Sequence, residues 1–148
     1  MLTRLTAGWP IIAFGIFAAG LLMFASDMVQ TADSFPFDQD LILDAAPMRP
    51  AKRVPIVTVA PDGNAIIDLW CKTVTARVEF TDASIKIEPG PLPEALPEMM
   101  SAGQCTPARM SADADLLALL AQVTTWRRQG GALVLAGSKT LKFRPATN

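Results

Sequence analysis

The groups able to do chemistry in this 148-residue chain are few: two cysteines, Cys71 and Cys105, and carboxylates spread along its length. Histidine and tyrosine are absent, which rules out imidazole-activated nucleophiles and histidine-ligated metals. Two cysteines fall short of the four ligands a structural zinc takes, so neither a metal nor another cofactor is expected. They do not form a Cys-x-x-Cys redox motif either. An even pair reads first as a disulfide if the compartment is oxidising, with two separate thiols as the alternative. Joined, they close a loop of some 34 residues, which stabilises a domain by roughly 3–4 kcal/mol in the chain-entropy model. Among the carboxylates, Asp68 and Glu79 fall on different strands, whereas carboxylate catalysis needs two groups held within several Å. Solvated strand faces account for both, and no enzyme activity is expected.

The compartment is indicated by the N-terminus. An apolar run extends from Trp9 to Phe24, preceded by Arg4 and followed by Asp27, Asp33, Asp38, Asp40 and Asp44 before the next basic residue, Arg49. By the positive-inside rule the N-terminus stays in the cytoplasm and everything after Ser26 lies outside. As a helix, Ala7 to Ala25 would span roughly 28 Å at ~1.5 Å per residue, close to the ~30 Å hydrocarbon core of a bilayer. A cleaved signal peptide wants small residues at −3 and −1. Cutting after Ala25 puts Met23 at −3, and cutting after Ala32 puts Gln30 there. An uncleaved signal anchor over residues 1–25 is therefore expected, with a cleaved signal peptide as the alternative. No cysteine adjoins the run, so a lipoprotein anchor is excluded. The expected location is the periplasmic side of the inner membrane, or the periplasm or exterior after cleavage.

About 115–120 residues remain, enough for one domain with a modest core. The net charge of −1 and the pI near 5.3 argue against nucleic acid, which requires a basic face. Residues 26–36 read as an acidic linker in which Phe35-Pro36-Phe37 offers a docking point, and the folded domain is expected over 37–148. Leu41-Ile42-Leu43 reads as a short strand. Val54 to Ala60 and Ala65 to Cys71 read as a hairpin about Pro61-Asp62-Gly63-Asn64, where Pro presets φ and Gly takes the left-handed position. Val74, Ala76, Val78 and Phe80 alternate with polar residues in a half-buried strand, and Ile85 and Ile87 form its return. Pro89 to Pro97 cannot enter a sheet interior and predicts a surface loop ending in Met99-Met100, either an adaptable lip or a cover for the core.

A helix is predicted from Ser111 as N-cap, with Asp113 and Asp115 in its first turn. Its stripe is Leu116, Leu119, Leu120 and Val123, with Trp126 at the edge. Arg127 and Arg128 fill its last turn, and Gly130-Gly131 ends it. A closing hairpin follows. A three-residue loop, Gly137 to Lys139, pairs Leu135 with Leu141 and Leu133 with Phe143 on one face, whereas a two-residue turn would mismatch the faces. The expected fold is α+β: a small antiparallel sheet covered on one face by a helix, with a terminal hairpin.

The chain resembles the META domain, the module of the HslJ-like bacterial envelope proteins. The resemblance rests on Leu69-Trp70-Cys71 closing a strand and on Cys105-Thr106-Pro107-Ala108-Arg109-Met110 leading into the helix. It continues through Leu116-Leu117-Ala118-Leu119-Leu120, Val123-Thr124-Thr125-Trp126, Leu133-Val134-Leu135 and Leu141-Lys142-Phe143. It covers residues 65–148 well and 37–64 loosely. Trp70 stands where the family often has glycine, Lys72 where it has asparagine, and the Thr-x-Met run before the second cysteine is missing. The resemblance implies a small exported α+β module associated with envelope stress and, in some members, secretion or motility, with no catalytic residues to carry over.

Two functions are consistent with these residues. One is a non-catalytic envelope module, held at the membrane by its N-terminal segment and acting through protein contacts. The other is a carrier of a lipid or other apolar ligand between sheet and helix, with Trp70, Met99, Met100 and Trp126 lining the pocket; plain core is the alternative role for these four.

Overall fold

The computed structural model describes residues 34–49 and 53–147. The readings of residues 1–25, and most of the acidic linker, lie outside them. The elements in chain order are β1 (Leu41–Leu43), β2 (Ile56–Val59), β3 (Asn64–Asp68), β4 (Thr73–Phe80), β5 (Ile85–Pro89), α1 (Pro97–Ser101), α2 (Pro107–Leu120), β6 (Thr125–Gln129), β7 (Ala132–Ala136) and β8 (Thr140–Pro145).

The strands follow from alternation. In β4 every second residue is buried, Val74, Ala76 and Val78, while Thr73, Thr75, Arg77 and Glu79 face water. The turn between β2 and β3 uses the chemistry its residues offer. Asp62 Oδ1 accepts the backbone N–H of Asn64 at 2.9 Å, and Gly63 sits at φ +84°. The Asn64 hydrogen bonds hold the Asp62 carboxyl below its usual range. A Cβ at Gly63 would lie 2.4 Å from the carbonyl oxygen of Val78. Gly63→Ala therefore meets both a forbidden φ and a backbone clash, and is expected to cost about 2–3 kcal/mol. A urea midpoint within error of wild type would refute that.

All eight strands join one antiparallel sheet in the order β5-β4-β3-β2-β1-β8-β7-β6. Its two edges meet. The Ile85 N–H donates to the Thr124 carbonyl at 3.0 Å and the Trp126 N–H to that of Ala83 at 3.1 Å, so the sheet curls nearly into a barrel and shields its edges. The expected antiparallel sheet is present, but one helix does not cover its face, and dimensions give the reason. Eight strands at ~4.8 Å make a sheet roughly 38 Å wide, whereas a 14-residue helix is only about 21 Å long. Curling lets the apolar faces cover one another, and α2 packs against β5, adding Leu116, Leu117 and Leu120 to the core.

The predicted helix is displaced. Its N-cap is Thr106, whose Oγ1 accepts from the N–H of Arg109 at 3.3 Å, with Pro107 in the first turn. Ser111, Asp113 and Asp115 lie beyond that turn. The helix stops at Leu120, and Trp126, Arg127 and Arg128 alternate along β6 instead of capping it. Val123 to Trp126 is β-branched or aromatic throughout, which favours strand over helix. Gly130 and Gly131, at φ +58° and +77°, form a two-residue hairpin turn that requires positive φ at both positions. The three-residue loop before β8 is as expected, with Leu135 opposite Leu141 and Leu133 opposite Phe143.

Phe35 and Pro36, assigned by sequence to the linker, are buried. The Phe35 ring lies 4.6 Å from Phe80, 5.0 Å from Phe37 and 5.3 Å from Trp126. This aromatic packing ties the start of the described chain to the strands, where sequence suggested a docking point.

Candidate functional site

The densest polar constellation of the described residues surrounds the turn between β3 and β4. That turn closes with the Leu69 N–H donating to the Lys72 carbonyl at 2.7 Å. Its next three N–H groups converge on one carboxylate. Trp70 N–H donates to Asp113 Oδ1 at 2.9 Å, Cys71 N–H to Oδ2 at 3.2 Å, and Lys72 N–H to Oδ2 at 3.1 Å. Consecutive N–H groups arranged this way form an anion-binding concavity, and here the anion is the protein's own side chain. Asp113 is fully buried. Burial pushes its carboxyl above the usual range, against the pull of the three backbone hydrogen bonds and the charge of Lys72.

Cys71, in the same turn, is joined to Cys105, with their Cα atoms 5.0 Å apart. The Cys105 N–H donates to the Met99 carbonyl at 3.0 Å. One turn before Asp113, Arg109 is also buried, donating to the carbonyls of Gln104 at 2.9 Å and of Met48. A covalent bond, a carboxylate and a guanidinium thus fasten α2 to the β3–β4 turn, to the segment before α2 and to the loop after β1. Sequence reasoning misses both because it places Asp113 in the first helical turn and Arg109 ahead of the helix. The available signal was periodic: Arg109, Asp113, Leu116, Leu117 and Leu120 share one helical stripe, so two charged residues continue the core face.

The four predicted ligand-binding residues lie outside the wall of the barrel cavity. Trp70 adjoins the disulfide, as does Met99, and Met100 is 48% exposed on α1. Trp126 belongs to the aromatic packing around Phe35. None of the four lines the cavity in the barrel, whose wall is wholly apolar and whose volume is about 10 Å³, roughly the least that admits one water. Asp68 and Glu79 are also far apart. Asp68 pairs with Thr73 across the strands, and Glu79 lies six residues further along β4, roughly 20 Å away at ~3.3 Å per residue. Asp68 accepts from Thr73 and Arg53. Among the described residues no cluster of three or more metal-ligating side chains occurs, and no helix is long and apolar enough to cross a membrane.

Fold and site together define a small α+β module, an antiparallel sheet curled around a core of its own side chains with one long helix fastened to it. The chain belongs to the META domain family, whose model matches residues 40–148. Among solved structures it is similar to a DUF4847 family protein from Bacteroides vulgatus ATCC 8482, at 14% identity over 61% of this chain and 57% of that one, with a TM-score of 0.46. It thus spans less than two thirds of that protein. It is also similar to a protein determined by NMR, at 12% identity over 72% of this chain and 88% of that one, with a TM-score of 0.46. No curated protein matches it.

Proposed function

We propose that this chain is a non-catalytic, HslJ-like META module, tethered by residues 1–25 to the periplasmic side of the inner membrane and maintaining the envelope through protein contacts. The observation that carries this reading is the filled interior, a cavity of about 10 Å³, with the buried carboxylate committed to the protein's own backbone. Chemistry then falls to the surface. The tether reading is supported by the apolar run Trp9 to Phe24 between Arg4 and a string of aspartates, and the oxidising address by the Cys71–Cys105 disulfide.

Native mass spectrometry of the protein extracted from its host membrane in mild detergent tests this function. The expected species is the intact 15.8 kDa chain, alone or with protein partners. A reproducible adduct of lipid size would establish the carrier instead, since the barrel would have to open around it. A shorter chain lacking the first 25 residues would remove the tether and leave a free periplasmic module.

A further inference from the structure

We propose that the outer face of β6, β7 and β8 is a docking surface for an anionic phospholipid bilayer. The inference rests on the tether reading above and adds a surface to it. Acidic residues end at Asp115. The chain from Ala121 onward carries Arg127, Arg128, Lys139, Lys142 and Arg144 with no aspartate or glutamate, in a protein whose net charge is −1. The positive charge is therefore segregated.

Strand register gathers three of these five cations on one face. Arg127 lies opposite Val134 on β7, and Val134 opposite Lys142 on β8. With strands ~4.8 Å apart, the Arg127 and Lys142 backbones are about 10 Å apart. Arg144 follows two residues along on the same face, and all three cations are exposed. Val134 between them is only 4% exposed, in keeping with long aliphatic stems lying over it while their charged heads reach water. A shallow groove of about 460 Å³ opens beside Lys142 and Arg144, between Ile42 and the Gly130–Gly131 turn, and no carboxylate lines it. Two aspartates flanking β1 adjoin this face: Asp44, 3.7 Å from Arg144 in a pair exposed on both sides and screened by solvent, and Asp40, whose carboxylate accepts from Thr58.

The position of the chain entry selects a bilayer as the occupant. Arg128 Nη1 donates to the carbonyl of Ser34 at 3.4 Å, so the described chain begins against β6, on the strand side shared by Trp126 and Arg128 rather than that of Arg127. Nine residues separate Ser34 from the end of the apolar run at Phe24, a reach of at most about 35 Å. A cationic face held that close to a bilayer meets it at high effective concentration. Each Lys or Arg near an anionic surface adds attraction that decays within a Debye length.

The test uses the full chain reconstituted into vesicles of phosphatidylcholine alone, or with about one-third phosphatidylglycerol. Vesicles are washed in high salt, and lysine modification by a water-soluble amine reagent is then followed at low salt by mass spectrometry. Lys142 is expected to react about tenfold more slowly on the anionic vesicles, roughly the effect of 1.4 kcal/mol. Lys86, on β5 and paired with Glu88, is expected to react equally on both. Raising the salt, or the exposed double substitution Arg127→Gln/Arg144→Gln, should abolish the difference. Equal Lys142 rates on the two vesicles, or protection that survives high salt, would overturn the docking surface. The wash reports on the tether separately: loss of the chain from neutral vesicles would overturn the tether, even if Lys142 stayed protected on anionic ones.

Discussion

Asp113→Ala is expected to lower the stability of the domain by about 3–5 kcal/mol, measured as the shift in urea midpoint at constant m-value. The three N–H groups of Trp70, Cys71 and Lys72 lose their acceptor together. An orphaned buried donor costs about 1–3 kcal/mol, and the half-buried Trp70 and Lys72 recover part of that from water. On a total near 5–15 kcal/mol the loss is severe. Asp113→Asn keeps one carbonyl oxygen but turns an NH₂ toward donors, so it should fall between alanine and wild type. A midpoint for the alanine variant within ~1 kcal/mol of wild type would show that the turn does not depend on the carboxylate. The same residue predicts a pH dependence. Because burial raises its folded pKa above the ordinary 3.8, the folded state holds the proton to higher pH than the unfolded chain. Its contribution to stability is therefore fullest below pH 3.8 and declines as pH rises through the raised value. Asp113→Asn should remove that decline.

The second large effect is loss of the disulfide. Cys71→Ser/Cys105→Ser is expected to cost about 3–4 kcal/mol and to lower Tm by roughly 10–20 °C. The cysteines are 3% and 1% exposed, so reductant should reach them only through unfolding, which makes substitution the cleaner experiment. The disulfide and Asp113 secure the same turn to the same stretch of chain, so their effects should not add. Combining the serine pair with Asp113→Ala should cost about 1 kcal/mol less than the sum of the separate losses. An unchanged Tm for the serine pair would mean that the Asp113 contacts alone hold the turn.

Local chemistry made much of the fold legible in the sequence. The β2–β3 hairpin follows from Pro61 to Asn64, the facing strands β4 and β5 from strict alternation, and the β7–β8 register from matching Leu133 with Phe143. The disulfide was legible as an even pair of cysteines outside any Cys-x-x-Cys motif. The helix boundary was less legible, because Ser111 and Thr106 are both adequate N-caps. The helix end was misread for a related reason, since Gly130-Gly131 terminates a helix as readily as it turns a hairpin. Choosing between those meanings requires the partner of β6, which is β7 across the turn. The candidate site was the least legible part. A buried aspartate is identical in sequence to a solvated one, and only the arrival of the β3–β4 turn, some forty residues earlier, gives Asp113 its role.

What the sequence determined by itself is what depends on near neighbours: strands, turns, the core face of each strand, the paired cysteines and the family to which they belong. Tertiary structure alone decided that β1 pairs with β8, that the sheet curls until its edges meet, and that Asp113 enters a ring of N–H groups. It also decided that Arg127, Lys142 and Arg144 share a face. Each of these depends on residues distant in the chain, and their meeting is set by how eight strands and one 14-residue helix can bury their apolar faces together.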